Sequence, residues 1–254
     1  MSLRTGESEV SSYNKMAKVY DELINEDINY KDIADFLLKI AKRENIEFNN
    51  YLDLACGTGN VGIHVAKEFK ENYFVDLSVD MLSEAEVKLR ENKVKGKIIC
   101  QDMCELNLNK SFDLISCVLD STNYILDDED LKDYFKSVYN HLNDNGVFVF
   151  DINSYYKLSE ILGNNIYTYN SEDIFYAWEN IFEDEIVEMD LTFFVREGTV
   201  YERFNEIHEE RAYTEELIES IFKEVGFKMI SKNDGYSDKE VEEKTERILY
   251  ILKK

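Results

Sequence analysis

Between residues 51 and 153 the chain alternates short, almost wholly apolar runs with stretches whose apolar residues recur every three or four positions. No other feature narrows the fold as much. Strands that are apolar on both faces belong to a parallel sheet covered on both sides, and parallel neighbours need a crossover, usually a helix, between them. The expected strands are YLDLA (51–55), NYFVDLS (72–78), KIICQD (97–102), FDLISCVLD (112–120) and GVFVFDIN (146–153). The expected helices are NVGIHVAKEF (60–69), DMLSEAEVKLR (80–90) and DLKDYFKSVYNHL (130–142), the last ended by Asn145-Gly146. Met81, Leu82, Ala85 and Leu89 share one helical face, as do Leu131, Tyr134, Phe135, Val138 and Leu142.

From about 165 to 212 the period becomes two. In IVEMDLTFFVREGTV, Val187, Met189, Leu191, Phe193 and Val195 alternate with polar residues, and Glu197-Gly198 has the chemistry of a hairpin turn. This is an antiparallel insert with one face exposed. Residues 214–226 return to a helix, with Thr214 as its N-cap and Gly226 as its stop. FKMISKND and RILYILKK are two closing strands, paired antiparallel because their link is too short and acidic for a helical crossover. Ahead of the sheet, residues 13–44 have helical spacing, broken near Asn29. The expected organisation is an N-terminal helical lid (1–46), a sheet domain (47–160 and 212–254) and the insert (161–211).

A chain of 254 residues, 44% hydrophobic, can bury one sizeable core and a smaller one. No apolar run approaches the ~18 residues of a membrane span. The opening MSLRTGESEV lacks the basic-then-apolar pattern of a secretory signal, so a cytoplasmic protein is expected. Cys56, Cys100, Cys104 and Cys117 form no C-x-x-C pair and the chain has three His, so free thiols and no metal site are expected. With 53 acidic and 29 basic residues the net charge is −24, which repels phosphate backbones and anionic lipid. A small-molecule partner is therefore expected, with neither nucleic acid nor membrane; the sequence leaves the oligomeric state open.

The stretch DLACGTG (53–59) ends the first strand in a glycine turn that opens a helix. Such a turn lets a ligand approach bare backbone and aims N–H groups at it. In open α/β sheets the ligand lies beyond the carboxyl ends of the strands. Gly57-Thr-Gly59-Asn-Val-Gly62 satisfies the dinucleotide pattern G-x-G-x-x-G, which admits an NAD-dependent oxidoreductase. Asp76, seventeen residues after Gly59, can accept both hydroxyls of a ribose, and this serves NAD and other nucleosides equally.

Four motifs in order, DLACGTG, FVDLSVDML, CQDM and SCVLDSTNYI, each at a strand's carboxyl end, resemble the class I S-adenosylmethionine-dependent methyltransferases. The resemblance covers roughly 50–153 and 212–254 and implies a Rossmann-like, doubly wound, mostly parallel seven-stranded sheet. By that resemblance Asp53 lies near the methionine amino group, and the turn Ala55, Cys56, Gly57 and Gly59 packs on the methionyl and ribose parts. Asp76 takes the ribose, with Ser78 after it. Leu77 and Met81 lie near the adenine, Asp102 bonds its amino group, Met103 flanks it, and the main chain at Val118–Leu119 borders the methionyl part. Ala55 stands where many members have glycine. The N-terminal helix resembles a lid, placing Tyr13 and Tyr20 at the cofactor. The insert is similar to a bacterial branch that includes sugar-amine and glycine/sarcosine N-methyltransferases, although the loop DSTNY lacks the His that sugar-amine members often carry there.

Methyl transfer from a sulfonium is an in-line displacement, so the protein's main tasks are alignment and exclusion of water. A base is needed only for a nucleophile that arrives protonated. The candidate catalytic residues are Tyr13, Asn123, Tyr124 and His208. Asp120 is read as a cap of its loop, Arg211 as a partner of nearby glutamates, and most insert aromatics, Trp178 among them, as core. Methylation at N or O, and a non-catalytic cofactor-binding module, remain alternatives at this point.

Overall fold

The computed structural model describes residues 29–254. Tyr13, Tyr20 and the first part of the expected lid lie outside the described residues. Helix α1 (Tyr30–Arg43) starts at Asn29, whose side chain accepts the Asp32 N–H, and it buries Ile33, Phe36, Leu37 and Ile40.

The parallel strands are β1 (Asn50–Leu54), β2 (Glu71–Asp76), β3 (Lys97–Cys100), β4 (Phe112–Cys117) and β5 (Leu142–Asn153). Between them lie α2 (Gly62–Val65), α3 (Val79–Glu91) and α4 (Asp128–His141). Four further strands form a separate antiparallel sheet: β6 (Ile166–Asn170), β7 (Ile174–Glu183), β8 (Ile186–Glu197) and β9 (Val200–Arg211). Helix α5 (Glu215–Val225) then leads to β10 (Lys228–Asp234) and β11 (Arg247–Lys253). The large sheet has the order β10-β11-β5-β4-β1-β2-β3, antiparallel only at β11 and β10. Strand order reverses between β1 and β4, so the crevice for a ligand opens at their carboxyl ends.

Alternate residues of each strand feed two cores, one on each face. Leu52, Leu54, Ile115, Phe148 and Phe150 pack with α4 and α5, while Tyr51, Leu114, Val147 and Val149 pack with α1 and α2. This double burial is why the strands read as continuous apolar runs. Thr214 caps α5 by accepting the Leu217 N–H, and Gly226 ends it in the left-handed region at φ 119°.

Three sequence expectations are corrected. The helix expected over 60–69 is one α-turn, Gly62–Val65, followed by a 3-10 turn at Ala66–Glu68. Asn145-Gly146 does not end α4, which stops at His141; both residues lie in β5 where its register with β4 shifts. A Cβ at Gly146 would lie 2.9 Å from the Phe112 carbonyl oxygen, so this glycine serves a close strand approach. The strands expected to reach residues 78, 102 and 120 end at Asp76, Cys100 and Cys117. Their last residues form the turns that rim the crevice.

In the small sheet the inner face carries Val187, Met189, Leu191 and Phe193 of β8, packed on Leu158, Leu162 and Ala212. Gly198 takes φ +65° in the two-residue turn between β8 and β9. Strand β9 breaks the pattern: Glu206, His208 and Glu210 are buried, while Ile207 is 60% exposed.

Candidate active site

The crevice is built from the first turn upward. Asp53 ends β1 opposite Ser116 of β4. It is buried, and its Oδ1 accepts the Ser116 hydroxyl at 3.2 Å; that hydroxyl also lies 2.7 Å from the Tyr51 hydroxyl. Burial pushes Asp53 up to about 7, against the pull of the Ser116 and Tyr51 hydroxyls and the Gly62 backbone. A Cβ at Gly62 would lie 2.1 Å from Asp53 Oδ2 and 2.6 Å from the Phe74 ring, so only glycine lets α2 sit on this carboxylate.

Ala55, Gly57 and Gly59 all have positive φ, at 53°, 53° and 78°. The Cβ that Gly57 lacks would meet nothing within 4 Å, so the turn presents bare backbone to open space. Asp76, at the end of β2, spans this turn and the next helix. Its Oδ2 accepts the Gly57 N–H and its Oδ1 the Ser78 N–H, each at 2.8 Å. Burial raises its pKa, and these N–H groups oppose the rise. Ser78 in turn caps α3 by accepting the Met81 N–H. Leu77 is exposed, Met81 is buried, Asp102 is exposed with Oδ1 on the Cys104 N–H, and Met103 is half-buried. Cys56 is half-buried, and burial raises its thiol pKa.

The loop after β4 is held by residues that sequence reasoning missed. Leu119 and Asp120 both take left-handed backbone, φ 63° and 59°. Asp151 of β5 accepts both of their N–H groups, at 3.1 and 2.7 Å, and also the Tyr236 hydroxyl. Arg247 pairs with Asp120 at 2.7 Å and with Asp151 at 3.2 Å. Asp120 therefore makes no cap of the following turn; its side chain is an ion-pair partner. Each left-handed residue costs about 1–2 kcal/mol, and this buried network offsets that cost.

The expectation that Asn123 meets the acceptor is also corrected. Its amide is fully buried and donates to the Asn153 and Arg211 carbonyls at 3.1 and 2.9 Å, while its oxygen accepts the Asn153 N–H at 2.9 Å. It ties the loop to β5 and β9. Arg211 is paired, but chiefly with an aspartate: Asp128 lies at 2.7 Å and Glu185 at 3.8 Å, and the guanidinium also donates to the Leu126 carbonyl at 2.8 Å.

Tyr124 and His208 do come together, with hydroxyl and Nδ1 3.5 Å apart and the rings edge to face. Burial lowers the His208 pKa, favouring the neutral imidazole. Glu206 and Glu210 lie two residues to either side on the same face. Glu210 accepts the Asn153 amide at 2.8 Å and burial pushes it up to about 8. The sequence held a usable signal here: counting by twos from Phe204 places 206, 208 and 210 inward. The described residues contain no helix long and apolar enough to cross a membrane.

The comparisons agree with this geometry. A family model described as a methyltransferase domain matches residues 52–146. A putative methyltransferase of Geobacillus sp. (strain WCH70) is 33% identical over 96% of this chain and all of its own length. The chain is a class I S-adenosylmethionine-dependent methyltransferase. A crystal structure of such a methyltransferase from Clostridium acetobutylicum ATCC 824 is 54% identical, with TM-score 0.90, covering 95% of this chain and 98% of that one. A dTDP-3-amino-3,4,6-trideoxy-alpha-D-glucopyranose N,N-dimethyltransferase of Streptomyces venezuelae is 31% identical over 46% of this chain and 46% of its own. S-adenosylmethionine is accordingly the methyltransferase's cofactor, and the bare turn at Gly57 beside an acid at each of three strand ends fits it.

Proposed function

We propose that this methyltransferase moves a methyl group to a nitrogen or oxygen of a small molecule that enters between the loop after β4 and the inner face of β9. The observation that carries this reading is the meeting of Tyr124 from that loop and His208 from that face, hydroxyl and Nδ1 3.5 Å apart. The S. venezuelae relative acts on an amino sugar, which favours nitrogen.

In this reading Asp76 accepts the ribose hydroxyls with the lone pairs its two N–H donors leave free. Asp102 accepts from the adenine amino group, between Leu77, Met81 and Met103. Asp53 acts mainly through the turn it supports, since it is buried beneath Gly62. The Leu119 N–H is already spent on Asp151 and Tyr236, so that residue offers its carbonyl and side chain. The bound cofactor supplies an electrophilic methyl on a good leaving group. The chain's own residues align the acceptor and exclude water, and neutral His208 can take a proton from a nucleophile that arrives protonated.

Calorimetry with S-adenosylmethionine and its demethylated product, followed by methyl-transfer assays on amine and hydroxyl acceptors, tests this. The expected result is cofactor binding with turnover on a small acceptor, and a kcat loss of about 10²-fold or more in His208→Ala with little change in KM. Turnover only on protein or nucleic-acid acceptors would overturn the reading.

A further inference from the structure

The inner face of the small sheet holds one buried carboxylate that the fold itself does not use. Glu206 is 2% exposed, and among the described residues its Oε2 has no hydrogen-bond partner. A buried carboxylate left unpaired costs several kcal/mol, so such groups are normally hydrogen-bonded or ion-paired. The neighbouring acid Glu210 is treated in the ordinary way, bonded to Asn153 with the Lys157 ammonium on the same amide's oxygen.

Its surroundings are aromatic. Register places Trp178, Leu191 and Glu206 in one row across β7, β8 and β9, with side chains on the same face. The next row holds Tyr176, Phe193 and Phe204, with Phe193 and Phe204 stacked at 5.0 Å. Tyr176, Trp178 and Phe204 are only partly buried, unlike Phe193 between them. Among the described residues the Trp178 indole N–H, also buried, has no hydrogen-bond partner. Burial alone pushes Glu206 up to about 7, with no charged group or donor opposing it. One unpaired carboxylate on a sheet face that also carries three partly buried rings suits a positively charged, weakly hydrated group: the carboxylate would supply the counter-charge and the rings cation–π attraction.

We infer that Glu206 and the rings of Trp178, Tyr176 and Phe204 form an ammonium-binding subsite, which makes a cationic amine the acceptor class of this enzyme. The inference rests on the proposed entry of the acceptor against β9, and it assigns the binding of the charge rather than a step of the reaction.

Trp178 is the chain's single tryptophan, so its fluorescence reports on the subsite directly. The experiment titrates the full chain, saturated with S-adenosylhomocysteine, with cyclohexylamine and separately with the neutral isostere cyclohexanol at pH 8. Cyclohexylamine should change the emission saturably, and cyclohexanol should bind at least tenfold more weakly. Glu206→Gln should weaken the amine at least tenfold and leave cyclohexanol unchanged. Phe204→Leu, which keeps the acid, should weaken the amine about threefold. Equal binding of the two probes overturns the inference, as does undiminished amine binding in Glu206→Gln. Should Glu206→Gln fail to fold, judged by circular dichroism, Phe204→Leu decides: undiminished amine binding there overturns the inference. The titration requires no turnover. Amine binding without methyl transfer to any small acceptor therefore counts against the proposed function alone, whereas methyl transfer with no preference for amines counts against the subsite alone.

Discussion

The buried acids at the carboxyl edge of the large sheet and Glu206 on the small sheet are treated in opposite ways. At the carboxyl edge of the large sheet, Asp53, Asp76 and Asp151 each accept hydrogen bonds from the chain itself: Ser116 for the first, Gly57 and Ser78 for the second, Leu119 and Asp120 for the third. On the inner face of the small sheet, Glu206 is as deeply buried and accepts none at Oε2. The first arrangement fixes loops: it holds two turns open in left-handed backbone before any ligand arrives. The second leaves an acceptor for something outside the chain. The edge of the large sheet is thus pre-formed and self-satisfied, while Glu206 carries an energetic deficit that the proposed ligand would relieve.

The sharpest way to break that contrast is at Gly62. Gly62→Ala puts a methyl group 2.1 Å from Asp53 Oδ2 and against the Phe74 ring, with no flexible neighbour to yield. The expected loss is about 3 kcal/mol or more, seen as a large drop in the urea midpoint, together with loss of S-adenosylmethionine binding by calorimetry. Next come two substitutions with opposite signs. Asp53→Ala should destabilise by about 1–3 kcal/mol, because the Ser116 hydroxyl and the turn lose their acceptor. Glu206→Leu should stabilise by about 1–2 kcal/mol, because it removes an unpaired buried acid. If both shift the urea midpoint in the same direction, the two edges do not differ as described.

Titration sharpens the same comparison. The folded-state pKa values of Asp53 and Glu206 are about 7 and that of Glu210 about 8, above ordinary values of 3.8, 4.5 and 4.5. Through that interval the folded chain keeps protons that the unfolded chain has released. The contribution of these groups to stability is therefore complete below pH about 4 and is lost as pH rises through 7 to 8. The urea midpoint should fall between pH 5 and pH 8, and Glu206→Leu should make the fall shallower. A midpoint that rises across this range would contradict the assignment of buried, raised carboxyls.

Most of the large sheet could be read in the sequence because its strands are buried on both faces and its helices repeat with a clear period. Asp53, Asp76 and Asp102 could be singled out just as easily, since each stands at or just past the end of an apolar run. What escaped was long-range. Asp151 sits inside FVFDIN and looks like one polar residue in a core strand; Arg247 opens the last strand, 127 residues after its partner Asp120. Neither carries a local pattern, because their meeting depends on β11 lying beside β5. The β9 acids could be placed only by carrying the parity of Phe204 forward, not from their own hydrophobic pattern. EIHEER puts acids on the inner face and Ile207 on the outer one, so hydrophobic alternation gives the wrong side. Here polarity and burial disagree, so a pattern keyed to hydrophobicity alone assigns the wrong face.

The smallest expected effect tests the cofactor edge at its weakest point. Ala55 is small enough to stand in for the glycine that many members have there. Size is not the constraint: φ is +53°, and a side chain at that angle costs about 1–2 kcal/mol. The Cys56 N–H to Val75 carbonyl bond at 2.9 Å belongs to this turn and holds it whatever residue occupies position 55. Ala55→Gly should relieve the strain while giving back about 0.4–1 kcal/mol in unfolded-chain entropy. The net gain is about 0.5–1 kcal/mol, or about 2 °C in Tm by calorimetry at fixed pH. Ala55 also packs against the core on the α4 and α5 face, so a fall in Tm would mean that its methyl contact outweighs the backbone strain. In that case the turn gains from a side chain that many members of the family do without, and its proposed openness to the cofactor would depend on Gly57 and Gly59 alone.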